Sequence, residues 1–174
     1  MSPRALRILV GVSLLAFVSS AACAGAGGTA VERTATVERV VDGDTLVVRG
    51  GARVRLVQID APEAGGECYA AASTRELTRL APPGSRVVLL ADPRLDRVDV
   101  FGRLLRYVQA AGRNVNVELV RRGAATPYFF DGDRGRHAGA LLSAVSAARS
   151  ARRGMWRACS VFWRPDGPVE TRGR

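Results

Sequence analysis

The chain has 174 residues, room for one domain of ordinary size with tails. Its hydrophobic content of 47% fills one core and points to no second. The net charge of +10, carried entirely by arginine among the basic side chains, favours polyanionic partners such as nucleic acid or acidic envelope polymers without identifying one.

The chain opens on Arg4 and Arg7, an uncharged apolar run over 8–22, and small residues over 19–26. That order is an export signal, assigned to residues 1–23, and the run is shorter than the roughly 20 residues of a spanning helix. Its removal takes away two arginines and leaves the chain near +8. A secreted or extracytoplasmic protein is expected. Cys23 is a candidate lipid-attachment residue that would hold it at the cell surface, but Ser20 stands where a large aliphatic residue is usual. A freely secreted form is therefore the preferred reading. With Cys23 set aside, Cys68 and Cys159 remain as an even pair, the pattern of a disulfide in an exported protein. A bridge closing so long a loop contributes on the order of 4 kcal/mol in the chain-entropy picture. Two separate buried thiols are the alternative.

Residues 24–33 read as a linker, and the domain is placed at 34–160. Thr36, Val37, Val40 and Val41 start a first strand, and 45–48 a second beyond Asp42-Gly43-Asp44. Gly50-Gly51 is a hairpin turn, and Val54, Leu56, Val57 and Ile59 give a third strand closed by Pro62. A helix is expected over 69–80, stopped by Pro82-Pro83-Gly84, then a strand over 86–91. Residues 92–101 are charged and turn-rich, 104–110 form a fifth strand, and 116–122 a short helix ending at Gly123. Ala138, Leu141, Leu142, Val145 and Ala148 recur at helical spacing in a terminal helix. Residues 161–174 are rich in Pro, Gly and Arg and are expected to be disordered. Five strands with a helix between the third and fourth suit an α+β, OB-type Greek-key barrel with about three helices. That fold often binds oligonucleotides or oligosaccharides, but fold alone does not settle function.

Three segments carry chemistry. Val41-Asp42-Gly43-Asp44-Thr45 taken alone reads as an Asp-Gly turn. In Arg55-Leu56-Val57-Gln58-Ile59-Asp60-Ala61-Pro62-Glu63, strand alternation puts Arg55 and Ile59 on one face, with Asp60 leaving the strand end. Asp99-Val100-Phe101-Gly102-Arg103 sets an arginine at the head of another strand. Their order, with 115–123 and a terminal helix ending at Trp156, resembles the staphylococcal-nuclease-like (thermonuclease) family over residues 34–156.

The resemblance implies a Ca²⁺-dependent nuclease acting on DNA, RNA or both with little sequence specificity, leaving a 3′-phosphate and a 5′-hydroxyl. Asp44 and Asp60 would be carboxylate ligands of one Ca²⁺, with the Ala61 carbonyl as a further ligand. Glu63 would position or deprotonate the attacking water, and Arg55 and Arg103 would grip the scissile phosphate. The residue types suit this task. A hard cation takes hard oxygens, and a guanidinium fork meets two phosphate oxygens where negative charge develops. Ala61 replaces a frequent threonine, which a backbone ligand tolerates. Val100 and Phe101 stand where some members carry lysine and tyrosine that hold a terminal phosphate, so exonuclease-like end recognition carries over less well and Phe101 only stacks. Tyr128 is a candidate substrate contact, with a half-buried core aromatic as the alternative. His137, the only histidine, reads as an exposed helix-start residue. Arg149, Arg152 and Arg153 either touch phosphate or complement a helix dipole. A monomer is expected. The competing function is a non-catalytic OB-fold module that holds nucleic acid or envelope polymer.

Overall fold

The computed structural model describes residues 32–174. The expected export signal, Cys23 and residues 24–31 lie outside the described residues. Strand β1 (Glu32–Val40) already includes Glu32 and Arg33, which the sequence reading assigns to the linker. It forms an antiparallel meander with β2 (Thr45–Val48) and β3 (Arg53–Leu56). Gly50 and Gly51 turn between β2 and β3 with φ of 92° and 82°, a backbone that glycine takes without steric cost. A bulge between Val37 and Arg39 bends β1 so that its two halves serve different neighbours. Residues 37–40 pair with β2, and 32–36 pair with β5 (Arg86–Leu90). Strand β6 (Leu104–Ala110) lies antiparallel to β5 and parallel to β3, which closes five strands into the expected OB-type barrel.

Three helices longer than a single turn pack on the barrel among the described residues: α1 (Ala70–Leu80), α2 (Val115–Arg121) and α3 (Ala138–Ser150). Leu77, Leu119 and Leu141, one from each, are fully buried together with Leu46, Val54 and Leu56 of the strands. Helix α2 starts where β7 (Arg113–Asn114) turns back on β6, because the Asn114 side chain accepts the Val117 N–H at 3.1 Å.

Four expectations need correction. The third strand stops at Leu56, because Gln58 has a left-handed backbone with φ of 63°. The Gln58 side chain repays that strain with buried partners, accepting from the Tyr107 hydroxyl at 2.9 Å and the Gly135 N–H at 3.0 Å. Asn116 secures the same point, accepting from the Val108 N–H at 3.0 Å and donating to the Val57 carbonyl at 2.9 Å. The chain resumes as β4 (Ile59–Asp60) in a separate two-stranded pairing with β8 (Thr126–Pro127). The terminal helix ends at Ser150 rather than Trp156, broken by Arg152 and Gly154 at φ of 49° and 54°, and a one-turn α4 (Met155–Ala158) follows.

The expected disordered tail is an ordered hairpin instead. Strands β9 (Cys159–Phe162) and β10 (Glu170–Gly173) pair antiparallel. The expected Cys68–Cys159 disulfide is formed, with Cα atoms 6.0 Å apart, and ties this hairpin to the loop before α1. His137 is half-buried rather than exposed, its ring edge-on to Tyr107 at 4.5 Å between centroids.

Candidate active site

The site grows out of three chain reversals at one end of the barrel. The first is Asp42-Gly43-Asp44, between β1 and β2. Asp42 accepts the Asp44 N–H at 3.1 Å and sets the turn. Gly43 is needed here for closeness, since a Cβ would lie 2.6 Å from that of Ala61 and 2.7 Å from that of Ser73. That contact presses the turn onto the second reversal, Asp60-Ala61-Pro62-Glu63, and onto α1.

Asp44 and Asp60 are each 6% exposed. Asp44 Oδ2 accepts the Ala61 N–H at 2.9 Å, and its Oδ1 accepts from the Thr45 hydroxyl at 3.1 Å. Arg55 enters between the two aspartates, with Nη1 3.0 Å from Asp44 Oδ2 and Nη2 2.8 Å from Asp60 Oδ1. Its Nη1 also donates to the carbonyls of Ile59 at 2.7 Å and Leu56 at 3.1 Å, so the kink at Gln58 helps fix the guanidinium. The far oxygen of Asp60 accepts the Val169 N–H at 2.9 Å.

Burial pushes the Asp44 carboxyl up to about 7, Arg55 pulling it down while Asp42 and Asp60 push further. Burial likewise raises Asp60, opposed by Arg55 and by the Val169 N–H. Glu63 is exposed, yet its carboxyl is raised, by the desolvation it does suffer and then by Asp60 and Asp42. Asp42, Asp44, Asp60, Glu63 and Glu67 thus form a field of negative charge in which Arg55 is the cation acting on Asp44, Asp60 and Glu63. The donors are hard oxygens, the type that Ca²⁺ takes. Among the described residues no three acidic, histidine or cysteine side chains converge into a ready cage. The guanidinium stands between Asp44 and Asp60 and takes up one oxygen of each. Surplus negative charge and donor chemistry therefore fit a divalent ion, provided Arg55 yields part of its hold.

The third reversal is Asp99 to Arg103. Asp99 accepts the backbone N–H of both Phe101 and Arg103, at 3.0 and 2.9 Å, and its other oxygen takes Arg103 Nε at 2.6 Å. Held at Nε, Arg103 keeps its terminal nitrogens for another partner. A cavity of about 380 Å³ lies beside this loop, walled by Arg55, Arg103, Phe101, Tyr128 and Phe130 among others. Phe101 is 78% exposed and Phe130 63%, both at the mouth, while Tyr128 is half-buried and edge-on to Phe130 at 6.4 Å.

The structure thus gathers Asp44, Asp60, Ala61 and Arg55 into one cluster, and Arg103, Phe101 and Tyr128 around one cavity. Arg55 belongs to both. Glu63 stands beside the carboxylates and not in the cavity wall. Phe130, Glu67 and Val169 were missed by sequence reasoning. A second aromatic after Tyr128 was a signal for Phe130; nothing marked Val169, which acts through its backbone.

A family model described as Staphylococcal nuclease homologue matches residues 53–158, which include Arg55, Asp60, Ala61, Glu63, Phe101, Arg103 and Tyr128 but not Asp44. Endonuclease YhcR of Bacillus subtilis is 30% identical over 136 residues, covering 69% of this chain but only 11% of that much longer protein. An uncharacterized endonuclease of Escherichia coli O157:H7 is 38% identical over 124 residues, 69% of this chain and 74% of the relative. Another, from Haemophilus influenzae, is 30% identical over 154 residues, 86% of this chain and 78% of the relative.

Proposed function

Because the chain belongs to the staphylococcal nuclease homologue family, we propose that it is a Ca²⁺-dependent phosphodiesterase that hydrolyses DNA, RNA or both with little sequence specificity. The observation that carries this reading is the double membership of Arg55, which pairs with two buried carboxylates and also walls the aromatic-rimmed cavity. A phosphodiester resists attack because its own charge repels the nucleophile. A site that hydrolyses it needs positive charge on the phosphate and an oriented water on the opposite side.

Asp44 and Asp60 would hold the ion, with the Ala61 carbonyl completing the protein's share. Bound there, Ca²⁺ would supply Lewis-acid neutralisation of the phosphate and a water close to it. Arg55, which walls the cavity while it pairs with both carboxylates, would offer part of its guanidinium to the phosphate oxygens. Arg103, oriented by Asp99 at Nε, presents its two terminal nitrogens to the same phosphate. Glu63, exposed and with its carboxyl raised by desolvation and then by Asp60 and Asp42, orients the water and accepts its proton. Phe101, Phe130 and Tyr128 offer π-faces to the bases, a grip that tolerates any base. The expected products carry a 3′-phosphate and a 5′-hydroxyl.

We place the protein outside the cytoplasm, as a monomer, with residues 1–23 as export signal. The positive, apolar and small-residue order of that segment and the Cys68–Cys159 bridge support the placement outside the cytoplasm. Fractionation of producing cells separates free secretion from anchoring through Cys23. For the activity, purified protein is incubated with denatured DNA or with RNA, in Ca²⁺ or in chelator, and acid-soluble nucleotides are measured. Ca²⁺-dependent release is expected. A wild-type protein that binds the polymer but releases nothing in Ca²⁺ would reduce it to a binding module.

A further inference from the structure

The family match ends at residue 158, and the terminal hairpin lies beyond it. That hairpin nevertheless returns to the carboxylate cluster. We infer that the strap over residues 163–171 is a working part of the active site, with Val169 as a positioning residue that orients Asp60 through its backbone N–H. The inference rests on the reading of Asp60 as a Ca²⁺ ligand.

The contacts are specific. Val169 reaches Asp60 Oδ2 at 2.9 Å across 109 positions of sequence, while Asp60 Oδ1 meets Arg55 at 2.8 Å. With both oxygens held, the carboxylate has one rotation. Two residues on, and so on the same side of an extended chain, the Thr171 N–H donates to Glu67 Oε1 at 3.3 Å. Glu67 Oε2 in turn accepts the Glu63 N–H at 2.7 Å. One strap therefore holds the proposed ligand directly and the proposed water-orienting residue through Glu67. Val169 is 3% exposed and its bond to Asp60 is buried, which shields that bond from competing water.

The strap is fastened at several points. The Cys68–Cys159 disulfide holds its base, and the Thr171 hydroxyl donates to the Cys68 carbonyl at 2.6 Å. Trp163 Nε1 donates to the Pro127 carbonyl, and the Phe129 N–H to that of Pro165, both at 2.7 Å. A tail that served only to cover apolar surface would need no N–H aimed at a buried carboxylate. Groups that hydrogen-bond a metal ligand fix its orientation, and their loss typically weakens metal affinity by about 10–100-fold.

The test is calorimetric titration of Ca²⁺ into the full-length, disulfide-bonded protein and two variants. Val169→Pro removes the N–H; Val169→Ala keeps it and loses only the buried isopropyl group. The expected result is a Ca²⁺ Kd at least about tenfold weaker for Val169→Pro, with Val169→Ala close to wild type even though both unfold at lower temperature. Equal affinity in all three proteins, or an equal loss in both variants, overturns the positioning role and leaves the Ca²⁺ reading standing. A wild type that takes up no Ca²⁺ overturns that reading and the strap's role with it. Should Val169→Pro not fold, the wild type labelled with ¹⁵N-valine decides. Its Val169 amide proton must shift during the Ca²⁺ titration with the calorimetric midpoint, and an amide that stays unmoved at saturation overturns the inference.

Discussion

The carboxylate cluster and the cavity mouth lie side by side and are built on opposite terms. At the cluster, Asp44 and Asp60 are buried, and all four of their side-chain oxygens have partners within about hydrogen-bonding distance, 3.1 Å at most. At the mouth, Phe101 and Phe130 stand largely exposed. Position is over-determined in one region and left open in the other. A charge field must be fixed before charge develops, because reorganising dipoles during a reaction cancels their benefit. A stacking surface has no such requirement, since every base offers a π-face.

The strongest way to break the comparison is Arg55→Ala. It leaves two buried carboxylates without their shared cation, and removing one member of a buried pair costs about 3–5 kcal/mol. Urea unfolding in chelator should show a loss of that order, together with loss of activity. Saturating Ca²⁺ should raise the melting temperature more in the variant than in the wild type, because the ion then replaces the missing charge. A variant as stable as the wild type in chelator would mean that the aspartates need no cation.

Glu63→Gln separates chemistry from architecture. Its side chain is exposed, so stability should change by less than about 0.5 kcal/mol. Turnover should nevertheless fall by about 10²–10⁴-fold with KM little altered, as expected when a proton acceptor is lost. A variant that keeps near-full kcat on denatured DNA removes the general-base role and leaves Glu63 as part of the negative field only.

How much of this was legible in sequence differs between the same two regions. The barrel was readable because β-branched runs, glycine turns and proline stops are local signals, and Arg55, Asp60 and Arg103 sit in short motifs. The kink at Gln58 was not. Nothing in an alternating apolar run announces a left-handed residue whose stabilisers, Tyr107, Asn116 and Gly135, come from 49 to 77 positions away. Its consequence is large, since it hands Arg55 the Ile59 carbonyl and turns Asp60 toward the cluster. The tail was misread for a similar reason. Composition rich in Pro, Gly and Arg signals disorder only when nothing distant anchors it, and here a disulfide and the Asp60 carboxylate do. Asp42-Gly43-Asp44 was read as a turn, correctly, but the reason for glycine is the approach of Ala61 and Ser73.

Gly43→Ala probes that approach. The added methyl would meet two Cβ atoms at 2.6 and 2.7 Å, neither of them the end of a flexible chain. Overpacking of this kind costs about 1–3 kcal/mol. Because the displaced neighbour is Ala61, whose N–H holds Asp44, Ca²⁺ affinity should weaken along with stability. Loss of stability at unchanged affinity would show that the two reversals are not rigidly coupled.

The smallest effect is expected at the mouth, where Phe101→Ala removes a ring that is 78% exposed. Little packing is lost, so the melting temperature should hold. One stacking contact is worth about 1 kcal/mol at the low end, which raises KM for denatured DNA by roughly fivefold and leaves kcat nearly unchanged. Phe101→Tyr, which keeps a π-face, should restore KM. The ring also lies 5.4 Å from the Arg103 guanidinium, and this gives the experiment its edge. If Phe101 only receives bases, the loss is confined to KM. If kcat falls instead, the ring is holding Arg103 on the phosphate, and the mouth shares in the fixed geometry that otherwise belongs to the carboxylate cluster.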